Sequence, residues 1–250
     1  MVKKEKYFAS ILVIGDEVLS GRTLDINSNH IAKKIEDLGI SVNEIRVIPD
    51  NKGKIINNIN TLRKKNDYLF TTGGIGPTHD DITAESVAEA FNVKLEENLD
   101  AYNILKNFYK EIGSEFNDTR KRMARIPYGA TLIENPISAA PGFKIENVFV
   151  FAGIPKVMQS MLENSIKFLN KGKISATITI KVDAVEGQIA DVLGKISIEN
   201  KDVKIGSYPY FNSEIDFGVN VVMKSINKSN LNIVAEKFKK YLSKESLNYK

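Results

Sequence analysis

Residues 71–83 read Thr-Thr-Gly-Gly-Ile-Gly-Pro-Thr-His-Asp-Asp-Ile-Thr, and this stretch decides the fold. A short apolar run of strand type precedes it at residues 68–70, and residues 84–91 follow with apolar side chains at helical spacing. The stretch is therefore predicted to be a turn from a strand into a helix. Glycine backbones can approach a ligand closely, and the free N–H groups at the start of a helix suit phosphate.

Two adjacent aspartates, Asp80 and Asp81, follow the glycines, and their charge cannot attract phosphate directly. A divalent cation between carboxylate and phosphate removes this conflict, so the stretch indicates a phosphate-and-metal site. An ordinary glycine-rich turn with aspartate at the helix start has the same pattern, and that alternative stays open. The stretch is not a P-loop, since no Gly-Lys-Ser/Thr follows, and not a dinucleotide fingerprint, since His79 stands where the third glycine belongs.

The composition is that of a soluble globular protein with one large or two small domains: 250 residues, 42% hydrophobic and 26% charged. The net charge of +4 is too small to indicate binding to nucleic acid or to a membrane. The chain has no cysteine and two histidines, His30 and His79, so a metal would be held by oxygen ligands. The first apolar run, residues 8–14, is too short for a signal or membrane segment, and we expect a cytoplasmic protein.

Strand patterns at residues 8–14, 42–48 and 68–72 alternate with helical patterns that start near Asn27, after Asn51 and at residue 84. This alternation predicts an α/β fold with a mostly parallel sheet and helices on both faces, a three-layer arrangement. Ligands of such folds bind beyond the carboxyl ends of the strands. The acidic loops around Asp16 and Asp50 are therefore expected at the same edge as residues 73–81.

The chain between residues 96 and 169 continues this pattern less regularly. We expect a helix at residues 96–112 with Leu99 on its apolar face, and a second helical segment at 114–126. That segment is basic, and it is either a solvated face or a basic lip over the phosphate edge. A strand at 130–134, a loop, a hairpin at 143–151 and a helix from Pro155 are expected to follow.

The pattern changes near residue 171, which predicts a domain boundary between residues 1–171 and residues 172–250. Strands are expected at 174–182, 203–208 and 215–223, with helices at 187–196 and 231–242. This β-α-β-β-α order fits a small α+β domain of split-βαβ type. We expect it to serve in oligomerisation, as in a homo-oligomer, or to cover the ligand edge.

Four motifs together resemble the molybdopterin-binding domain family, and within it the CinA-like branch of competence/damage-inducible protein A. They are Gly15-Asp16-Glu17-Val18-Leu19-Ser20-Gly21, Asp25-Ile26-Asn27-Ser28, Asp50, and the stretch from Thr72 to Thr83. Asn135-Pro136, Ala140-Pro141-Gly142-Phe143 and Gly153-Ile154-Pro155 resemble further segments of that branch, and the resemblance covers essentially the whole chain.

The resemblance to the CinA-like branch implies divalent-metal-dependent hydrolysis of the pyrophosphate in ADP-ribose, or in a related dinucleotide such as FAD. Mg²⁺, Mn²⁺ and Co²⁺ are the expected cations. The wider family implies a molybdopterin-binding or adenylyl-transfer protein of molybdenum cofactor biosynthesis. A non-catalytic nucleotide-binding module is a third hypothesis. The expected partner is therefore a small-molecule nucleotide or pterin.

The sequence departs from the family pattern at several positions. Ser138 and Ala139 replace glycine and threonine, Ala152 replaces proline, and Val157 replaces a glutamate. A carboxylate common in the family is thus missing near this loop. Longer members carry an amidase domain that we do not expect in this chain.

The candidate site residues follow from the loops and from the resemblance. Asp81, Asp50 and Glu17 are the predicted catalytic residues, and Asp50, Asp80 and Asp81 are the predicted metal ligands. Asp16 and Glu17 are alternatively ligands of a second metal or helix caps. The predicted phosphate- or substrate-binding residues are Gly15, Asp16, Thr72, Gly73, Gly74, Gly76, Pro77, Thr78, Asn135, Pro141, Gly142, Gly153 and Pro155.

Overall fold

The structure is a computed structural model that describes residues 4–213 and 216–250. The chain falls into two compact units, Met1–Gly172 and Lys173–Lys250, so the division lies one residue after the predicted boundary. No helix among the described residues is both long and apolar enough to cross a membrane.

Eight strands of the first unit form two sheets. They are β1 (Tyr7–Ile14), β2 (Ile40–Ile48), β3 (Tyr68–Thr72), β4 (Leu95–Glu97), β5 (Arg125–Pro127), β6 (Thr131–Ile133), β7 (Gly142–Ile145) and β8 (Val148–Phe151). The larger sheet has the order β2-β1-β3-β8-β7-β6, and β4 pairs with β5 alone. The neighbours β2, β1, β3 and β8 are parallel, whereas β7 runs antiparallel to both β8 and β6. The prediction of a mostly parallel sheet is confirmed.

Seven helices belong to the same unit: α1 (Asp16–Leu19), α2 (Asn27–Glu36), α3 (Lys52–Lys65), α4 (Thr83–Ala90), α5 (Leu99–Glu111), α6 (Asp118–Lys121) and α7 (Pro155–Ser165). Helices α2 and α7 pack on one face of the sheet, where Ile31 and Met158 meet Phe70. Helices α3, α4 and α5 pack on the other face, where Ile59 and Leu105 share a core with β1 and β3. The predicted three-layer arrangement is confirmed.

Three segments differ from the sequence-based expectation. The predicted helix at 96–112 starts only at Leu99, because the Asn98 side chain caps it by accepting from the Ala101 N–H at 3.0 Å. Leu99 itself is exposed and is not part of the apolar face. The predicted helical segment at 114–126 breaks into α6, a 3-10 turn at Arg122–Ala124 and β5, because β5 pairs antiparallel with β4. The predicted loop after β1 contains the one-turn helix α1.

The second unit contains β9 (Ala176–Val182), α8 (Glu186–Glu199), β10 (Lys204–Ser213), β11 (Asp216–Ser225) and α9 (Lys228–Lys244). Its sheet has the order β10-β11-β9, and β11 is antiparallel to both neighbours. The central strand therefore splits the β9-α8-β10 unit, and the predicted small α+β domain is confirmed. Residue 215, where the last strand was predicted to begin, lies outside the described residues.

Gly73 directly follows β3 and packs against Ile14, the last residue of β1. Its φ is +108°, and an added Cβ would lie 2.0 Å from the Ile14 carbonyl oxygen. Both features exclude a side chain at this position. Glycine is therefore required at position 73 for the chain to turn from β3 towards α4.

We predict that Gly73→Ala lowers the free energy of unfolding of the first unit by about 2–4 kcal/mol more than Gly113→Ala does. Gly113 is the matched control, because its φ is also positive at +65° but no atom lies within 4 Å of an added Cβ. The control measures the strain of an ordinary left-handed φ, and the difference measures the clash with Ile14 together with the larger strain of φ +108°. Urea denaturation of the two variants tests this, and equal losses would contradict it.

Candidate functional site

The parallel strands β1, β2, β3 and β8 end at the same edge of the sheet, and the loops that follow them enclose one cavity. This main cavity has a volume of about 520 Å³. Each loop contributes to its wall: Glu17 after β1, Asp50 after β2, Gly74 after β3 and Gly153 after β8. A volume of this size is typical of sites for small ligands and cofactors.

The glycine loop is held against the first turn of α4 by Thr83. The Thr83 hydroxyl donates to the Gly73 carbonyl at 3.0 Å, and its N–H donates to the Gly74 carbonyl at 2.9 Å. The Gly73 N–H donates to the Phe151 carbonyl at 3.1 Å and is therefore not available to a ligand. Among the described residues, none accepts from the N–H groups of Gly74 and Gly76, so these two remain the candidate phosphate donors.

Asn27 ties two of the loops together. Its side-chain amide donates to the Thr72 hydroxyl at 2.9 Å and to the Gly153 carbonyl at 2.7 Å. The Thr72 hydroxyl donates onward to the Ala152 carbonyl at 2.9 Å. The residue at the start of α2 thus links the ends of β3 and β8. Sequence reasoning treated Asn27 as a helix-start residue and missed this role, although its place in the Asp25-Ile26-Asn27-Ser28 motif was a signal.

The Oδ1 atom of Asn27 is buried and accepts no hydrogen bond within the described part of the chain. Its orientation is determined, because both N–H groups of the amide have acceptors. Asn27 lines a smaller cavity of about 50 Å³, whose wall includes Glu17, Thr23 and Pro155. These three residues also line the main cavity.

Asp50 is a half-buried carboxylate among other acids. Its Oδ2 atom accepts from the Asp16 N–H at 3.0 Å. Burial raises the pKa of Asp50 above its ordinary value, and the charges of Asp16, Glu17 and Asp80 raise it further, against the opposing effect of that hydrogen bond. Negative charge is therefore concentrated around Asp50 at this edge of the sheet.

Asp81 is oriented by its own loop. Its Oδ2 atom accepts from the Thr78 N–H at 2.8 Å and from the Thr78 hydroxyl at 2.5 Å. Asp80 is exposed, and its carboxylate lies 3.9 Å from the Nδ1 atom of His79, whose side chain is 96% exposed. His79 is thus a surface residue of the loop.

The predicted metal ligands Asp50, Asp80 and Asp81 all line the main cavity. In residues 4–213 and 216–250, however, no group of three or more acidic or histidine side chains is arranged to hold an ion by itself. Mg²⁺ commonly takes one or two carboxylates and completes its shell with water and phosphate oxygens. The residues present therefore fit an ion that binds together with a phosphate ligand.

The structure brings most of the other predicted residues to the main cavity. Those on its wall are Gly15, Glu17, Gly73, Gly74, Gly76, Pro77, Gly153 and Pro155. Asp16 and Thr78 are exposed and do not line the main cavity, but their N–H groups donate to the carboxylates of Asp50 and Asp81.

Four predicted residues lie away from this wall. The Thr72 hydroxyl is used by Asn27 and Ala152. Asn135 holds its own loop, since its amide donates to the Ser138 hydroxyl and the Ala140 carbonyl. Gly142 lies within the sheet, where an added Cβ would meet the Val150 carbonyl oxygen at 2.6 Å, and Pro141 lines a separate small pocket.

Sequence reasoning missed the apolar part of the wall, because apolar side chains at these positions have the same pattern as core residues. The missed apolar residues are Ile14, Ile75, Met123, Ala140, Ala152, Ile154, Val157 and Met161. Two polar residues of the wall, Thr23 and Ser138, were not predicted either. Val157 stands where the resemblance places a glutamate, so this side of the cavity is apolar in the present chain.

Comparison with known proteins agrees with this geometry. Residues 10–171 match the family described as probable molybdopterin binding domain, and residues 175–250 match the middle domain of FAD synthase. A protein of Archaeoglobus fulgidus is 35% identical over 199 residues, which are 80% of this chain and 84% of that protein. A protein of Pyrococcus furiosus is 38% identical over 221 residues, covering 81% of this chain and 85% of that protein.

Among solved structures, the protein CinA of Thermoplasma acidophilum superposes with a TM-score of 0.61 and 29% identity, over 66% of this chain and 99% of that one. The family match extends over more than half of the chain and contains all four strand ends that surround the main cavity. The chain therefore belongs to the molybdopterin-binding domain family, in its CinA-like branch.

Proposed function

We propose that this chain is a divalent-metal-dependent pyrophosphatase that hydrolyses ADP-ribose or a related dinucleotide such as FAD. One observation carries the proposal: the main cavity combines free backbone N–H groups at Gly74 and Gly76 with the carboxylates of Asp50 and Asp81. Backbone donors suit phosphate oxygens, and carboxylates suit a cation that neutralises them. A pyrophosphate with its metal ion satisfies both sets of groups.

The shape of the cavity supports a substrate with an aromatic base. Its apolar side, which includes Ile154, Val157 and Met161, offers contact to a flat ring without a charged group. The match of residues 175–250 to a domain of FAD synthase supports the flavin dinucleotide class in particular.

Each residue has a distinct role in this proposal. Gly74 and Gly76 bind phosphate oxygens, and Asp50 and Asp81 hold the ion, with Asp80 in support. The ion supplies charge neutralisation and acidifies water when it is bound. Glu17, which is exposed and lines the cavity, accepts a proton from the attacking water as general base.

A second candidate is a protein that binds molybdopterin, with or without adenylyl transfer, and the match of residues 10–171 favours it. Binding of a nucleotide without turnover is a third. Incubation with ADP-ribose, FAD or molybdopterin plus Mg²⁺, Mn²⁺ or Co²⁺ separates the three. Release of AMP supports hydrolysis, tight pterin binding without cleavage supports the second candidate, and nucleotide binding without turnover supports the third.

We predict that Asp81→Asn lowers kcat/KM for metal-dependent AMP release by about 100-fold or more, because it removes a charged ligand of the ion. The thermal midpoint should change little, since an asparagine oxygen can still accept from the Thr78 N–H. Asp37→Asn is the control, because Asp37 is exposed at the end of α2 and does not line the cavity. Equal turnover in the two variants would exclude Asp81 from the metal site.

We predict that Asp50→Asn raises the thermal midpoint at pH 7 by about 1–3 °C, because a carboxylate with a raised pKa costs stability when ionised. The cost is present above the raised pKa of Asp50 and disappears below its ordinary value of 3.8, so the gain should vanish near pH 4. Asparagine keeps an acceptor for the Asp16 N–H.

Asp118→Asn is the control of opposite sign, because Lys121 lowers the pKa of Asp118 through a hydrogen bond and its charge. This variant should show no gain at pH 7. Thermal scans between pH 4 and pH 8 measure both effects. A gain in Asp50→Asn that persists unchanged at pH 4 would show that its charge is not the cause.

A further inference from the structure

The basic side chains of residues 120–125 differ in whether they have hydrogen-bond or ion-pair partners among the described residues. The Arg120 guanidinium donates to the Ser114 hydroxyl at 3.0 Å and to the Glu115 carbonyl, and it lies 4.3 Å from the ring centroid of Tyr109. The Lys121 ammonium pairs with the Asp118 carboxylate at 2.8 Å. Both side chains thus support the local structure.

Arg122, in contrast, does not support the local structure through polar contacts among the described residues. In residues 4–213 and 216–250, its side chain makes no hydrogen bond, ion pair or ring contact, although it is half-buried. Arg125 has no partner in the same ranges either, but it is exposed. A half-buried guanidinium without a partner loses hydration, and no hydrogen bond or ion pair compensates for that loss. Arg122 is therefore the basic residue of this segment for which we expect a ligand.

Arg122 lines a pocket of about 30 Å³, which we call the arginine pocket. Its wall includes Gly76, Asp81 and Met123, and these three residues also line the main cavity. The 3-10 turn Arg122–Ala124 thus forms part of the wall of both spaces. The unused cation lies beside the loop that carries the candidate phosphate donors.

The nearby carboxylates do not satisfy this cation. Asp81 and Glu85 line the arginine pocket, but neither lies within 4.0 Å of the Arg122 guanidinium. Asp81 accepts instead from Thr78, and Glu85 pairs with Lys52 at 3.3 Å. No carboxylate of residues 4–213 and 216–250 therefore pairs with Arg122, and an anionic ligand would supply the missing partner.

We propose that Arg122 is a phosphate-binding residue, which takes one phosphate of the ligand whose other contacts are Gly74, Gly76 and the metal ion. A guanidinium presents two parallel N–H groups to a phosphate, and an ammonium cannot reproduce this geometry. The proposal rests on the proposed function only for the identity of the ligand as a diphosphate.

The test compares Arg122→Gln, Arg122→Lys and the matched control Lys121→Gln, which removes the same charge one residue earlier. Calorimetric titration with ADP-ribose should show about 10- to 100-fold weaker binding for Arg122→Gln, since hydrogen bonds between charged groups are lost. Arg122→Lys should be intermediate, and Lys121→Gln should stay within about 2-fold of the unmodified protein. Adenosine, which has no phosphate, should bind Arg122→Gln and the unmodified protein equally.

Thermal midpoints serve as the folding check. We expect Arg122→Gln to have nearly the same thermal midpoint as the unmodified protein, because within the described residues the Arg122 guanidinium makes no hydrogen bond or ion pair that the substitution would remove. Equal ADP-ribose binding by Arg122→Gln and Lys121→Gln would overturn the proposal. If the unmodified protein binds neither ADP-ribose nor FAD, the proposed function fails, and titration with inorganic pyrophosphate then tests Arg122 alone. A Kd for pyrophosphate that Arg122→Gln leaves unchanged would overturn the assignment on its own.

Discussion

The approach of Gly73 to the Ile14 carbonyl is the constraint on which the site depends. An added Cβ would lie 2.0 Å from that oxygen, so the turn after β3 fits against the end of β1 only as backbone. This contact brings the next glycine, Gly74, close to Asp50: an added Cβ at Gly74 would lie 3.6 Å from the Asp50 Oδ1 atom. Backbone donors from one loop and a carboxylate from another therefore face the same space.

Charged side chains of both signs at the site lack a partner of opposite charge among the described residues. Asp50 and its acidic neighbours lack a cation, and Arg122 lacks an anion within the described residues. A phosphate ligand with a metal ion supplies both at once. In residues 4–213 and 216–250, no three acidic or histidine side chains are arranged to hold an ion by themselves, and in the proposed function phosphate oxygens would complete the coordination of the ion. Metal and nucleotide are then expected to bind as one unit.

Most of the fold was predictable because burial on both faces leaves a clear pattern in the sequence. The run in β1 is almost wholly apolar, β3 begins with three apolar or aromatic residues, and the helices between them repeat apolar residues at helical spacing. The pattern failed at β5, where basic residues at helical spacing predicted a helix. Pairing between β4 and β5 joins residues about thirty positions apart, and local spacing contains no information about such a contact.

Only the glycines and charged residues of the cavity wall could be predicted from the sequence. Glycines and aspartates next to strand ends are distinctive, so Gly74, Asp50 and Asp81 were predicted, and the structure places all three on the wall of the main cavity. Thr72 and Gly142 were assigned to the ligand because they stand within or beside the motifs, yet one is used by Asn27 and the other lies inside the sheet. The apolar wall and the role of Asn27 depend on tertiary contacts that the sequence does not display.

Asn27 has a consequence for how the site responds to its surroundings. The groups that tie the ends of β3 and β8 together are an amide, a hydroxyl and two backbone carbonyls, and none of them titrates. The framework is thus insensitive to acidity, while the charges it carries are not. A change of pH therefore alters the charge of carboxylates such as Asp50 while the link between the ends of β3 and β8 keeps its hydrogen bonds.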